Sequence, residues 1–153
     1  MKKPTLGAVV QIPLHNGKFA YGRLYKDASI GIYERLSDVP GKPPIGSRDF
    51  RFNVGVYKDV LDSGKCAVVG EDPFSVDEDS WPPPHCIVDP ISGEYSIYHH
   101  GEIRPALPEE CQGLEIAAVW ELEHIIDRIM HGEESRYLKD VPLDRHTQKT
   151  KIQ

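Results

Sequence analysis

Residues 7–25 read GAVVQIPLHNGKFAYGRLY. Ala8, Val10, Ile12 and Leu14 alternate with Val9, Gln11 and Pro13, so one apolar row lines one face of an extended strand. Asn16-Gly17 follows, the pair most suited to a tight type I′ turn, whose two central positions both need positive φ. Phe19-Ala20-Tyr21-Gly22-Arg23-Leu24-Tyr25 then returns as the partner strand. The stretch predicts a β-hairpin, and a hairpin with an apolar row is stable only when more strands or a helix cover it.

Downstream residues supply both. Ser29 to Tyr33 predicts a third strand with Ile30 and Ile32 on one side, and Phe50, Phe52, Val54 and Val56 repeat the two-residue period. Between them, Pro40-Gly41-Lys42-Pro43-Pro44-Ile45-Gly46-Ser47 holds too many breakers for regular structure and is a loop. Lys65 to Gly70 is a short apolar strand. Asp72 to Pro84 is an acidic loop ending in Trp81-Pro82-Pro83-Pro84, where three successive fixed φ angles give a stiff exit. That run is better read as a rigid linker with Trp81 pinned against the core than as a proline-rich peptide ligand, which needs a longer exposed motif. Cys86 to Asp89, Tyr95 to His99 and Glu102 to Ala106 form a meander with a turn at His100-Gly101. Leu114 to Val119 fits either a final strand or the opening turns of a helix.

At Leu122 the period changes. Leu122, Ile125, Ile126, Ile129 and Met130 follow the i, i+3, i+4, i+7, i+8 spacing of one helical stripe. Glu121 and Glu123 suit the positive N-terminal end, Arg128 and His131 the negative C-terminal end, and Gly132 ends the helix. The predicted class is α+β, mostly β: a curved antiparallel sheet or small open barrel with one C-terminal amphipathic helix packed on it. Residues 1–132 form this single domain, and 133–153 are a polar, partly mobile tail.

Composition agrees with one domain. The chain has 153 residues, 39% of them apolar and 27% charged, and its 13 prolines and 13 glycines suit short strands joined by turns. No apolar run approaches the roughly 20 residues that span a bilayer, and Met1-Lys2-Lys3-Pro4-Thr5 leads into a strand pattern instead of a secretory apolar segment. A cytoplasmic protein without membrane contact is expected. Cys66, Cys86 and Cys111 are odd in number and widely spaced, which predicts reduced thiols.

The net charge of −6 argues against nucleic acid as a partner, because phosphate binding needs cations to displace counterions. Its distribution is uneven. From Cys66 through Ile103 there is no Lys or Arg, while Glu71, Asp72, Asp77, Glu78, Asp79, Asp89, Glu94 and Glu102 give a formal charge of −8.

The search for chemistry finds no assembled site. His99-His100 with Glu102 is the best local metal candidate, but adjacent strand residues point to opposite faces. His124 and His131 share a helix face about two turns apart, too far for one ion. His85 beside Cys86 is one pair only. There is no Gly-x-Ser-x-Gly turn, phosphate loop or dinucleotide fingerprint, so no catalytic residue, metal or cofactor is assigned. The cation-free segment remains. Glu71, Asp72, Asp77, Glu78 and Asp79, with Trp81 as an aromatic anchor, are the candidate partner-binding residues, set against the plainer reading of a loop that only keeps the protein soluble.

Taken in order, several segments resemble the immunity protein 26 family of bacterial polymorphic-toxin systems. They are Gly7 to Leu14 leading through Asn16-Gly17 to Tyr21-Gly22-Arg23-Leu24, then Trp81-Pro82-Pro83, then Gly101-Glu102-Ile103-Arg104-Pro105-Ala106 and Cys111-Gln112-Gly113-Leu114-Glu115. Ala117-Ala118-Val119-Trp120-Glu121 and His124-Ile125-Ile126-Asp127-Arg128-Ile129 close the series. Each is a weak pattern of turn and core residues, and their order carries the likeness. It implies a mostly β protein that binds a cognate toxin domain and blocks it; the acidic segment adds the expectation that the occluded toxin surface is basic. It supplies no catalytic residues. Some members of that family carry a phosphotriesterase label, so a metal-dependent phosphotriester hydrolase is the rival, with His85, His99 and His100 as its first suspects. A β-barrel interaction module without a toxin partner is the third reading.

Overall fold

The computed structural model describes residues 5–135. Six strands form one sheet: β1 (Ala8–Pro13), β2 (Phe19–Tyr25), β3 (Ser29–Tyr33), β4 (Phe50–Val56), β5 (Ala67–Glu71) and β10 (Val119–Trp120), in the order β10-β4-β3-β2-β1-β5. Four strands form a second sheet: β6 (His85–Val88), β7 (Tyr95–His99), β8 (Glu102–Ala106) and β9 (Glu115–Ile116), in the order β8-β7-β6-β9. A short helix, α1 (Lys58–Asp62), precedes β5, and α2 (Leu122–His131) follows β10. The two edges of the larger sheet, β10 and β5, do not pair, so the sheet is open. The fold is mostly β with a C-terminal helix, as the patterning predicts. The meander is a sheet of its own, which the patterning does not reveal. The expected tail at 133–153 lies outside the described residues beyond Ser135, whose hydroxyl bonds Asp127 Oδ2 at 2.6 Å. No described helix is long and apolar enough to cross a membrane.

The first hairpin forms in the expected place, with Pro13 opposite Phe19, but its turn differs from the expected type I′. Gly17 has φ 86° and Asn16 stays out of the left-handed region. Five residues connect the strands, so two consecutive positive φ angles are not needed. Asn16 acts through its side chain, Oδ1 accepting from Lys18 N at 3.0 Å. The type I′ requirement is met instead at His100-Gly101, φ 61° and 78°, which closes a two-residue turn between His99 and Glu102.

The larger sheet is buried on both faces, a feature that a single apolar row on β1 does not announce. On one face Ala8, Val10, Ile12, Leu24, Ile30, Ile32, Val54 and Val56 pack against Trp120 and the stripe Ile125, Ile126 and Ile129 of α2. Gly22 lies in this layer, where an added Cβ would run into the Ile30 side chain, so only glycine lets β3 close on β2 there. On the other face Val9, Tyr21 and Tyr33 pack with Phe19, Phe50 and Val69. The breaker-rich loop lies over this second layer. Gly41 N donates to Gln11 Oε1 at 2.6 Å, Lys42 N to Tyr21 Oη at 3.1 Å, and Gly46 N to Asp72 Oδ2 at 3.1 Å.

Residues 115–120 join the sheets. Neither reading of Leu114 to Val119 describes them fully: β9 runs parallel to β6 in the small sheet, and β10 runs parallel to β4 in the large one. The small sheet has its own core of Cys86, Tyr95, Ile97 and Cys111. All three cysteines are buried and outside any disulfide, and burial pushes the Cys66 thiol up to about 11.

Candidate functional site

Where the sheets meet, an open cleft of about 600 Å³ is lined by the β2–β3 turn, the start of β3, Gly55, Pro82, and residues of β6, β7 and the 117–119 connector. Its walls are mainly apolar, with Ala28, Ile87, Ala117, Ala118 and Val119, and its polar groups are Asp27, Ser29, His85 and Tyr98. This mixture is the usual make-up of a binding cleft.

Each polar group is held from behind. Tyr98 Oη donates to Asp27 Oδ2 at 2.7 Å across 71 residues of sequence, tying the large sheet's turn to the small sheet. That bond, then burial and the Asp27 charge, push the Tyr98 phenol up, so it stays a neutral donor. Asp27 and Ala28 both have positive φ, 63° and 48°. Two successive non-glycine residues in that region are strained, alanine more so because it lacks a local side-chain bond. Ser29 Oγ bonds Asn53 Oδ1. His85 Nδ1 lies 2.7 Å from Pro83 O and Nε2 2.8 Å from Asn53 O, so a backbone carbonyl sits against each ring nitrogen.

The acidic segment borders the cleft at Pro82. Asp77, Glu78 and Asp79 form an exposed 3-10 turn, and Lys26 N donates to Ser80 O at 2.9 Å, fixing it to the end of β2. Trp81 stacks on His100 with ring centroids 4.3 Å apart, and Lys26 Nζ sits 4.7 Å from the Trp81 ring centre. Lys26 Nζ also reaches Asp77 at 3.0 Å, and His100 Nε2 lies 3.0 Å from Glu78 Oε1. Trp81 is half-buried and Pro82 buried, but Trp81 packs on His100 and Lys26 and not against the core as expected.

Of the candidate residues, Asp77, Glu78, Asp79 and Trp81 come together. Glu71 is exposed at the end of β5, at the same end of the sheet but separated from β2 by β1. Asp72 must be removed from the set. Its side chain is 5% exposed, accepting from Tyr33 Oη at 2.6 Å and from Arg48 at 2.9 and 3.1 Å, with Arg23 Nη2 at 3.7 Å. Burial alone would raise its pKa, but the bonds from Arg48, Tyr33 and Gly46 N and the Arg23 charge outweigh it and hold the carboxyl at about 2. The partners lie 24 to 49 residues earlier in the chain, so local sequence makes Asp72 look like one more loop acid. Asp27 and Tyr98 were missed for the same reason. The only local sign is a turn between two strands.

No family model, curated protein or solved structure matches the chain.

The hydrolase suspects do not form a three-ligand site, although His99 and His100 do meet, with ring centroids 5.4 Å apart, because His100 sits in the turn and not in the strand. Each ring nitrogen of His85 sits within 2.8 Å of a backbone carbonyl, while His100 is stacked on Trp81 and paired with Glu78. Among the described residues no three His, Cys, Asp or Glu side chains converge as metal ligands. Ser29 Oγ donates to Asn53 Oδ1, and not to a base of the kind that nucleophilic catalysis requires.

Proposed function

We propose that this protein is a binding inhibitor, an immunity protein that neutralises a cognate bacterial toxin domain by stoichiometric occlusion in the cytoplasm. The observation that carries the reading is the exposed turn Asp77-Glu78-Asp79 with half-buried Trp81 beside it, on a stretch of chain without a single Lys or Arg. A carboxylate cluster of this kind speeds encounter with a basic surface and disfavours acidic partners, and a braced aromatic next to it serves as an anchor at low entropic cost. The ordered resemblance to immunity protein 26 supplies the toxin as the partner. A nuclease toxin suits an acidic inhibitor best, because carboxylates take the place of substrate phosphates.

Co-purification with the product of the adjacent gene, followed by a growth-protection assay, tests the reading. A one-to-one complex and rescue of toxin-expressing cells are expected. Absence of both binding and protection would overturn it.

A further inference from the structure

We infer that the cleft between the two sheets is a socket for a lysine or arginine side chain carried, with apolar neighbours, on a protruding segment of the partner protein. The inference rests on the inhibitor reading for the source of that side chain. Its own ground is the cleft.

Asp27 stands at the cleft wall as an exposed carboxylate whose bonding neighbour is a neutral phenol. Among the described residues no Lys, Arg or His pairs with it, and the adjacent Lys26 is committed to Asp77 and to the Trp81 ring. Asp77, Glu78 and Asp79 add to the negative field beside Pro82. A cation entering here meets the Asp27 carboxylate, and its aliphatic stem meets Ala28, Ala117, Ala118, Val119 and Ile87. Lysine and arginine have that two-part character, an apolar stem and a charged head.

The volume and surroundings favour a protein segment over a free small cation. About 600 Å³ exceeds the needs of one side chain, leaving room for flanking residues. The cleft also continues onto open sheet. Strand alternation and register put His85, Ile87, Ser96, Tyr98, Ile103 and Pro105 on one face of the small sheet, opposite its core. Ile103 is 64% exposed on that face and Val119 is 54% exposed at the cleft. An apolar shelf beside an acidic socket matches a segment with an apolar residue next to a basic one. The strained turn adds rigidity, since Asp27 and Ala28 occupy a conformation that the Tyr98 bond helps to hold.

The test follows backbone amide shifts by NMR in the full chain. The probe is acetyl-Leu-Arg-Leu-amide, compared with the same tripeptide carrying citrulline, which keeps the shape and removes the charge. Shifts at Asp27, Ala28, Ala118 and Val119 are expected, with at least a five-fold weaker response to citrulline. Asp27→Asn should erase that difference while preserving the fold, because asparagine tolerates positive φ and still accepts from Tyr98. Val119→Trp should weaken the arginine peptide about ten-fold by filling the cleft. Shifts elsewhere, or equal responses to arginine and citrulline, would overturn the inference. An equal response to n-butylguanidinium alone would overturn the protein segment as its source. Toxin binding separates the two readings: if Asp27→Asn and Val119→Trp bind toxin as tightly as wild type, the socket falls and the inhibitor stands. If wild type binds no toxin, the inhibitor falls and the peptide titration alone decides the socket.

Discussion

Asp72 shows how a residue that belongs by sequence to a charged surface becomes a structural keystone. Its carboxylate gathers Tyr33, Arg48, Arg23 and the amide of Gly46, holding the breaker-rich loop onto the second face of the large sheet. Because its folded pKa of about 2 lies below the unfolded value near 3.8, its contribution is complete above pH ~4 and is lost as pH falls toward 2. The loss is of order 2 kcal/mol, and urea melts between pH 6 and pH 2 should show it. Asp72→Asn should remove that pH dependence and cost about 3 kcal/mol at pH 7, because it leaves Arg23 buried without its countercharge. An unchanged melt would mean that the backbone bonds from Arg23 to Asp72 O and Pro73 O suffice. Ala28 is the opposite case, a residue the fold tolerates at a cost. With φ 48° it should be improved by glycine, and Ala28→Gly is expected to raise stability by about 1 kcal/mol, read as a higher Tm.

At the scale of elements, α2 and the 115–120 connector act together. Arg128 was expected to complement the helix C-terminus, and the structure gives it a second task. Its guanidinium makes two parallel bonds of 2.8 Å to Glu115 on β9 and lies 4.0 Å from the Phe52 ring centre on β4. One helix residue thereby fastens a strand of the small sheet to a strand of the large one. Arg128→Lys keeps the charge but loses the planar fork and the stacking. It should lower stability by about 1–2 kcal/mol, seen as a reduced urea midpoint at constant m-value; a smaller apparent m-value would instead mean that the two sheets no longer unfold together. The short strands β9 and β10 offer too few backbone bonds to hold the sheets alone, which is why the side-chain clamp matters.

At the scale of the whole molecule, charge is segregated along the chain, and Asp77, Glu78 and Asp79 meet in one exposed turn. Replacing Asp77, Glu78 and Asp79 with lysine moves the formal net charge from −6 to 0. It breaks only exposed pairs with Lys26 and His100, so stability should change little. Association with toxin should slow about ten-fold at low salt, with the gap closing as salt screens the field. An on-rate equal to wild type at 20 mM salt would move the interface away from this turn.

Sequence by itself determined most of the strands and the C-terminal helix, though not α1, β9 or β10. The alternation in 8–14 and 50–56, the His100-Gly101 turn and the stripe from Leu122 to Met130 are local signals, generated by the two- and 3.6-residue periods of the backbone. It also isolated the cation-free stretch, since charge counts need no coordinates. Tertiary structure alone decided which of those strands share a sheet, that the large sheet is covered on both faces, and which acids face solvent. Those outcomes depend on pairings between residues far apart in sequence, Tyr33 with Asp72, Asp27 with Tyr98, Glu115 with Arg128. A carboxylate's neighbours in space determine whether it braces the fold or meets a partner. On that basis Asp72 leaves the candidate surface, and Asp27, an ordinary turn residue by sequence, stands at the centre of the proposed socket.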